Sequence, residues 1–225
     1  MLRAKGSGAD AGPRPVMPGD DCPLCPRLVD FRQGNRKTFP SFHNGPVRSF
    51  GPAAARLLIV GLAPGLKGAN QTGRPFTGDY AGALLYPTLL RYGFAHGPYG
   101  ARADDGLALA DCRITNAVRC VPPANKPVGR EIASCRKFLA AEIASMPRLE
   151  IVVALGVVAH GAVLAALGLR QSHVKFGHGA QHVLPGGVML ADSYHCSRYN
   201  TNTGRLTEAM FHAVFEGVRA RLGAA

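Results

Sequence analysis

Four short apolar runs, each followed by a stretch with helical periodicity, limit the folds open to this chain. They are "RLLIVGLAP" (56–64), "CRITNAV" (112–118), "EIVVALG" (150–156) and "GVMLADSYH" (187–195). Short runs of this kind, rich in Val, Ile and Leu and bounded by turn residues, read as buried strands. The helical stretches after them are "YAGALLYPTLLRYGF" (80–94), "VGREIASCRKFLAAEIASM" (128–146), "VVAHGAVLAALGL" (157–169) and "TGRLTEAMFHAVFEGVRARL" (203–222). In the last, Leu206, Met210, Phe211, Val214, Phe215, Val218 and Leu222 share one face, and Arg205, Glu208, His212 and Arg219 the other. Parallel strands need long crossovers, and strands alternating with helices supply them. The expectation is an α/β fold: three layers, α/β/α, around a parallel sheet.

The chain has 225 residues, enough for one large domain, and shows no internal repeat or second boundary. Residues 1–20 are Gly, Pro, Ala and charges, a composition expected of a flexible tail, with a single domain over 21–225. No apolar run approaches the roughly 18 residues that span a bilayer. The N-terminus lacks the apolar core of a secretory signal, so a cytoplasmic location is expected. Net charge is +12, which favours an anionic partner such as nucleic acid.

Six cysteines lie at 22, 25, 112, 120, 135 and 196. In a reducing compartment a disulfide framework is not expected. "CPLC" follows no strand, against a thioredoxin-like redox site. It then reads as half of a zinc or iron–sulfur site. Cys135 shares an inward stripe with Ile132, Leu139 and Ile143, and Cys120 sits in the loop before that helix. Cys22, Cys25, Cys120 and Cys135 are therefore the candidate ligand set. Spacing alone does not choose the metal. Cys112 and Cys196 are expected to be packing thiols.

In open parallel sheets, ligands bind outside the carboxyl ends of the strands. There the chain places "GLAPGLKGANQTGRPFTGD" (61–79), Asn116, "ALG" (154–156) and "HCSRYNTNTG" (195–204). One crevice would collect Gly61, Ala63, Phe76, Asp79, Asn116, His195 and Asn200. The glycine-rich stretch is neither a Walker A loop, lacking Gly-Lys-Thr, nor a dinucleotide fingerprint, since about 18 residues part it from the next helix. It suits instead a backbone that approaches a flat ligand closely, with Phe76 to stack and Asp79 as the lone acid.

These stretches, with the four cysteines, resemble the uracil-DNA glycosylase superfamily. The likeness is to its iron–sulfur branch, and most of all to family 5, the broad-specificity type. It runs from "CPLC" to the final helix. It implies a central four-stranded parallel sheet and a structural [4Fe-4S] cluster on Cys22, Cys25, Cys120 and Cys135. It also implies excision of deaminated bases from DNA. Ala63 stands where family 4 carries an acid, as in family 5. Two departures are Cys196, where the third motif usually has proline, and "GDYAG" in place of "GDxSG". Proline would fix one φ that cysteine leaves free.

Cutting an N-glycosidic bond builds positive charge on the sugar and negative charge on the base. In that light His195 would donate to the base carbonyl as its charge grows. Asp79 would position or activate the water. Asn116 would hold that water or read the base edge. Phe76 would stack on the flipped base, framed by the backbone of Gly61, Leu62 and Ala63, with Asn200 nearby. Arg198 and Tyr199 are candidates for a wedge filling the duplex. Two competing readings are a zinc-stabilised nucleic-acid-binding protein and an iron–sulfur oxidoreductase. The missing G-x-G-x-x-G weighs against the second.

Overall fold

All four expected strands form. They are β1 (Leu57–Gly61), β4 (Cys112–Asn116), β5 (Ile151–Leu155) and β7 (Met189–Ser193), numbered with the short strands described below. The computed structural model describes residues 16–223, so residues 1–15 of the expected tail lie outside the described residues. The sheet order is β4-β1-β5-β7, all parallel, with β6 (Gln181–Val183) antiparallel on the outer edge of β7. The sheet thus has five strands where four were expected. β6 is three residues long and half exposed, so it lacks the apolar run that marks the others.

The central strands are buried on both faces, and their residues alternate between two cores. Leu57, Ile59, Ile151, Val153 and Leu155 pack under α3 (Tyr80–Arg91) and α7 (Glu208–Gly223). Leu58, Val60, Val152 and Ala154 pack under α4 (Gly129–Ala144) and α5 (Val157–Ala166). Each face is covered because a strand places successive side chains on opposite sides. Since β1 leads to α3 on one face and neighbouring β5 leads to α5 on the other, their carboxyl ends splay apart. That is a topological switch point, where such sheets hold ligands.

Other elements went unread. α1 (Pro26–Thr38) begins right after "CPLC" and buries Leu28, Arg32 and Asn35. α2 (Ala69–Thr72) is one turn inside the glycine-rich stretch. β2 (Ala95–His96) and β3 (Ala108–Leu109) pair as a hairpin between α3 and β4. The last helix starts at Glu208, not 203, because the Thr207 hydroxyl accepts from Met210 N at 3.2 Å. Residues Arg198–Asn202 form a separate short helix, α6, capped by Ser197.

Candidate active site and cysteine cavity

Six of the expected crevice residues converge on one inner pocket or its floor. Ala63, Phe76, Asp79, Asn116 and His195 line it together with Pro64, Gly65, Ala69 and Ala81. Gly61 lies beneath: a Cβ there would overlap the Phe76 ring and Asn116 Oδ1. That glycine is demanded by close approach rather than by its backbone angles. Phe76 is buried with φ 52°, a region costly for a bulky residue. The loop holding it must over-determine that conformation, and it does. Arg74 donates from Nε to Thr77 Oγ1 at 2.7 Å and reaches both carboxylate oxygens of Asp105 at 2.8 and 2.7 Å. Tyr86 donates its hydroxyl to Pro75 O at 2.5 Å.

Asp79 caps α3, accepting from Gly82 N at 3.1 Å. Burial pushes its carboxyl above the ordinary value, against the pull of the Gly82 and Ala81 amides. Gly68 crowds the carboxylate so closely that a Cβ there would lie 2.8 Å from Asp79 Cβ. Asn116, at the end of β4, is 3% exposed, and its Oδ1 has no hydrogen-bond partner. A buried acceptor left open costs about 1–3 kcal/mol and points to a ligand or water. Desolvation pushes the His195 pKa down to about 4, so its imidazole is neutral near pH 7 and carries one N–H to donate. The His195 and Phe76 rings lie 6.0 Å apart, centre to centre. Two stacked layers need about 7 Å, so no flat ligand fits squarely between them.

A wider groove opens from this pocket between the ends of β1 and β5. It is lined by Leu62, Ala63 and Asp79 on one side, by Gly156, Val157 and Val158 on the other, and by Arg198 and Asn200 at its mouth. The Asn200 side chain donates to His195 O at 2.8 Å, so it fixes the histidine loop. The Leu62 carbonyl is taken by Val118 N at 3.0 Å, and the Gly61 carbonyl by Ala117 N at 2.9 Å. Tyr199 is 72% exposed, and the Arg198 guanidinium lies 5.3 Å from the Tyr80 ring centre. Reading the sequence missed Tyr80, Val157, Val158 and Phe176 in this groove. Tyr80 and the two valines directly follow residues that were singled out. Phe176 stands in a loop with no periodic signal.

Cys22, Cys25, Cys120 and Cys135 line a second, small cavity, with Leu28, Arg32, Val118 and Phe138. Cys112 and Cys196 are buried elsewhere, in the core under α3 and α7. Among the described residues no three His, Cys, Asp or Glu side chains are arranged to hold a single metal ion. Burial raises the Cys120 pKa to about 12, with the charges of Cys135 and Cys22 adding to it. Burial also raises Cys25 and Cys135. Three such thiols cannot all ionise unless cations sit among them. One is supplied by α1: Arg32 is 3% exposed, makes no ion pair among the described residues, and reaches Cys120 Sγ at 3.8 Å and Cys22 O at 3.2 Å. Arg119 N donates to Cys135 Sγ at 3.4 Å. The donor set fits a multi-atom thiolate-held centre such as an iron–sulfur cluster.

Fold and pocket together define an α/β protein with a ring-floored polar pocket at the switch point of its sheet. The profile of the "Uracil DNA glycosylase superfamily" matches residues 48–219. The type-5 uracil-DNA glycosylase of Thermus thermophilus is 48% identical over 84% of this chain and 89% of its own length. That of Mycobacterium leprae is 41% identical over 90% and 92%, and that of Pyrobaculum aerophilum 39% over 90% of each. A type-4 uracil-DNA glycosylase of Pyrobaculum aerophilum is 35% identical over only 51% of the chain and 50% of its own. The chain belongs to the uracil-DNA glycosylase superfamily, and within it to the type-5 group.

Proposed function

We propose that this protein is a monofunctional DNA glycosylase of base excision repair that removes uracil from DNA and leaves an abasic site. One observation carries the reading: the open Asn116 Oδ1, the buried Asp79 carboxyl and the neutral His195 surround a single ring-floored pocket. In the reaction the bond between the base nitrogen and C1′ breaks, and its electron pair leaves with the base. Water forms the new C1′–O bond, and its proton balances the charge. Asp79 holds and activates that water and offsets the cationic sugar. Asn116 Oδ1 accepts from the water or from the base edge. His195 donates to the base carbonyl as negative charge grows there. Phe76 stacks the flipped base, over the close-packed Gly61, with Leu62, Ala63 and Asn200 framing the pocket.

The width of the groove supports a wider substrate range, with hypoxanthine, xanthine and etheno bases as further substrates. Arg198 and exposed Tyr199 fill the gap in the duplex once the base has left. The unpaired Arg32 beside four thiols supports a structural [4Fe-4S] cluster on Cys22, Cys25, Cys120 and Cys135. It ties the α1 segment to the loop after β4 and to α4. The protein is proposed to act as a cytoplasmic, nucleoid-bound monomer, with residues 21–225 as one domain. No described helix is long and apolar enough to cross a membrane.

The test is incubation with labelled duplexes and single strands carrying uracil, hypoxanthine, xanthine or an etheno base, then alkaline cleavage. Cleavage at uracil is expected. Intact strands with every base, at protein in excess, would overturn the assignment.

A further inference from the structure

The β2–β3 hairpin, residues 95–109, lies outside every stretch singled out in the sequence, yet it is clasped to the Phe76–Asp79 loop. Its Asp105 takes both guanidinium nitrogens of Arg74, and also accepts from Gly100 N at 2.9 Å and Leu107 N at 3.0 Å. Both side chains of the pair are buried, 5% and 3% exposed. The hydrogen bonds from Arg74 hold the Asp105 carboxyl far below the usual range against the cost of burial, helped by the Leu107 and Gly100 amides. Arg74 also lies between the Phe50 and Tyr86 rings, 5.1 and 5.3 Å from their centres. A buried, bidentate pair with aromatic walls fixes position more than it stabilises.

What the clasp positions is Tyr99. Its ring packs on Tyr86 at 4.7 Å. Its hydroxyl is buried, and its O–H donates to no group among the described residues. That hydroxyl sits over the first turn of α3: a Cβ on Gly82 would lie 2.7 Å from it. Gly82 is the residue whose N–H donates to Asp79 Oδ1. The Asp79 charge, after burial, also pushes the Tyr99 phenol upward, while the Gly78 amide pulls it down. An unused O–H donor thus stands over the turn whose N–H caps the acid of the pocket.

We propose that Tyr99 is a positioning residue for Asp79: held by the Arg74–Asp105 clasp, its hydroxyl donates to the Asp79 carboxylate through one water. The inference rests on Asp79 as the working acid. The donation favours the ionised form that the water needs and fixes which oxygen faces the pocket. The other titratable groups around Asp79 include His195, across the pocket, Tyr80, Arg198 and Arg205 along the groove, and Cys196, whose thiol burial and then the Asp79 charge push upward. None of these belongs to the hairpin, so a change at Tyr99 leaves them in place.

The experiment is Tyr99→Phe in the full chain, with the Asp79 carboxyl carbon titrated by ¹³C NMR and assigned through Asp79→Asn. Loss of a donor to a carboxylate raises its pKa. The Asp79 titration is therefore expected to move up by about one pH unit. The acid limb of single-turnover uracil excision moves with it, while the melting temperature stays put. Asp105→Asn, which keeps the tyrosine but opens the clasp that holds it, should move the titration the same way and lower kcat with KM unchanged. An Asp79 titration unmoved in Tyr99→Phe overturns the proposal. A titration that moves in Tyr99→Phe but not in Asp105→Asn overturns the clasp. A wild-type protein without excision would defeat the functional reading, and the NMR titration would still decide this one.

Discussion

Replacing Asp79 separates its two jobs, because the structure gives it both. Its Oδ1 caps α3 through Gly82 N, and its carboxyl lines the base pocket. Asp79→Ala removes both. Loss of an N-cap costs about 1 kcal/mol, a shift of about 2–4 °C in melting temperature for a chain of this size. Burial offsets part of that. The folded carboxyl titrates above its unfolded value, so this group's contribution to stability is full below the unfolded pKa and falls as pH rises through the folded one. At pH 7 the alanine variant no longer buries that charge, and the net loss is smaller than the cap alone predicts. Loss of a positioned acid costs about 10²–10⁴ in rate, or about 2.7–5.4 kcal/mol of barrier. Asp79→Ser is the control: serine caps about as well as aspartate but carries no carboxylate. Single-turnover excision of uracil should therefore fall about equally in both variants, while only Asp79→Ala loses stability. An Asp79→Ala rate equal to the parent would refute the reasoning. The carboxylate would then be a helix cap alone, and the water would belong to Asn116.

His195→Ala should lose about 10²–10³ in single-turnover rate, the usual loss for one oxyanion donor. In the parent the histidine, with its pKa near 4, should impose no limb on the rate between pH 5 and 8. Gly61→Ala should drive Phe76 and Asn116 out of place, costing about 1–3 kcal/mol in denaturant unfolding and abolishing excision while DNA affinity survives. Cys135→Ser should lower iron content and the visible absorption of the purified protein. Full iron and unchanged melting in that variant would sink the four-thiolate assignment.

The alternation of apolar runs and helical stretches determined the sheet, because a strand buried on both faces must be apolar at every position. It showed all four parallel strands with boundaries off by at most three residues, and with them the ends where the pocket lies. The inward stripe of Cys135 was legible for the same reason. α1 was not: its buried stripe is Leu28, Arg32 and Asn35, and two of those three are polar in any sequence reading. Their burial has a meaning only once Arg32 faces the thiols. β2, β3 and β6 have two or three residues each and owe their pairing to neighbours distant in sequence, which no local pattern records. The site divides in the same way. Residue types at strand ends marked Phe76, Asp79, Asn116 and His195. Only tertiary structure put the Phe76 ring on Gly61, made His195 neutral by desolvation, gave the Asn200 amide to the His195 carbonyl, and laid the Tyr99 hydroxyl beside the acid. Each of those depends on distance and burial between segments far apart in the chain, and a sequence encodes these only through the fold.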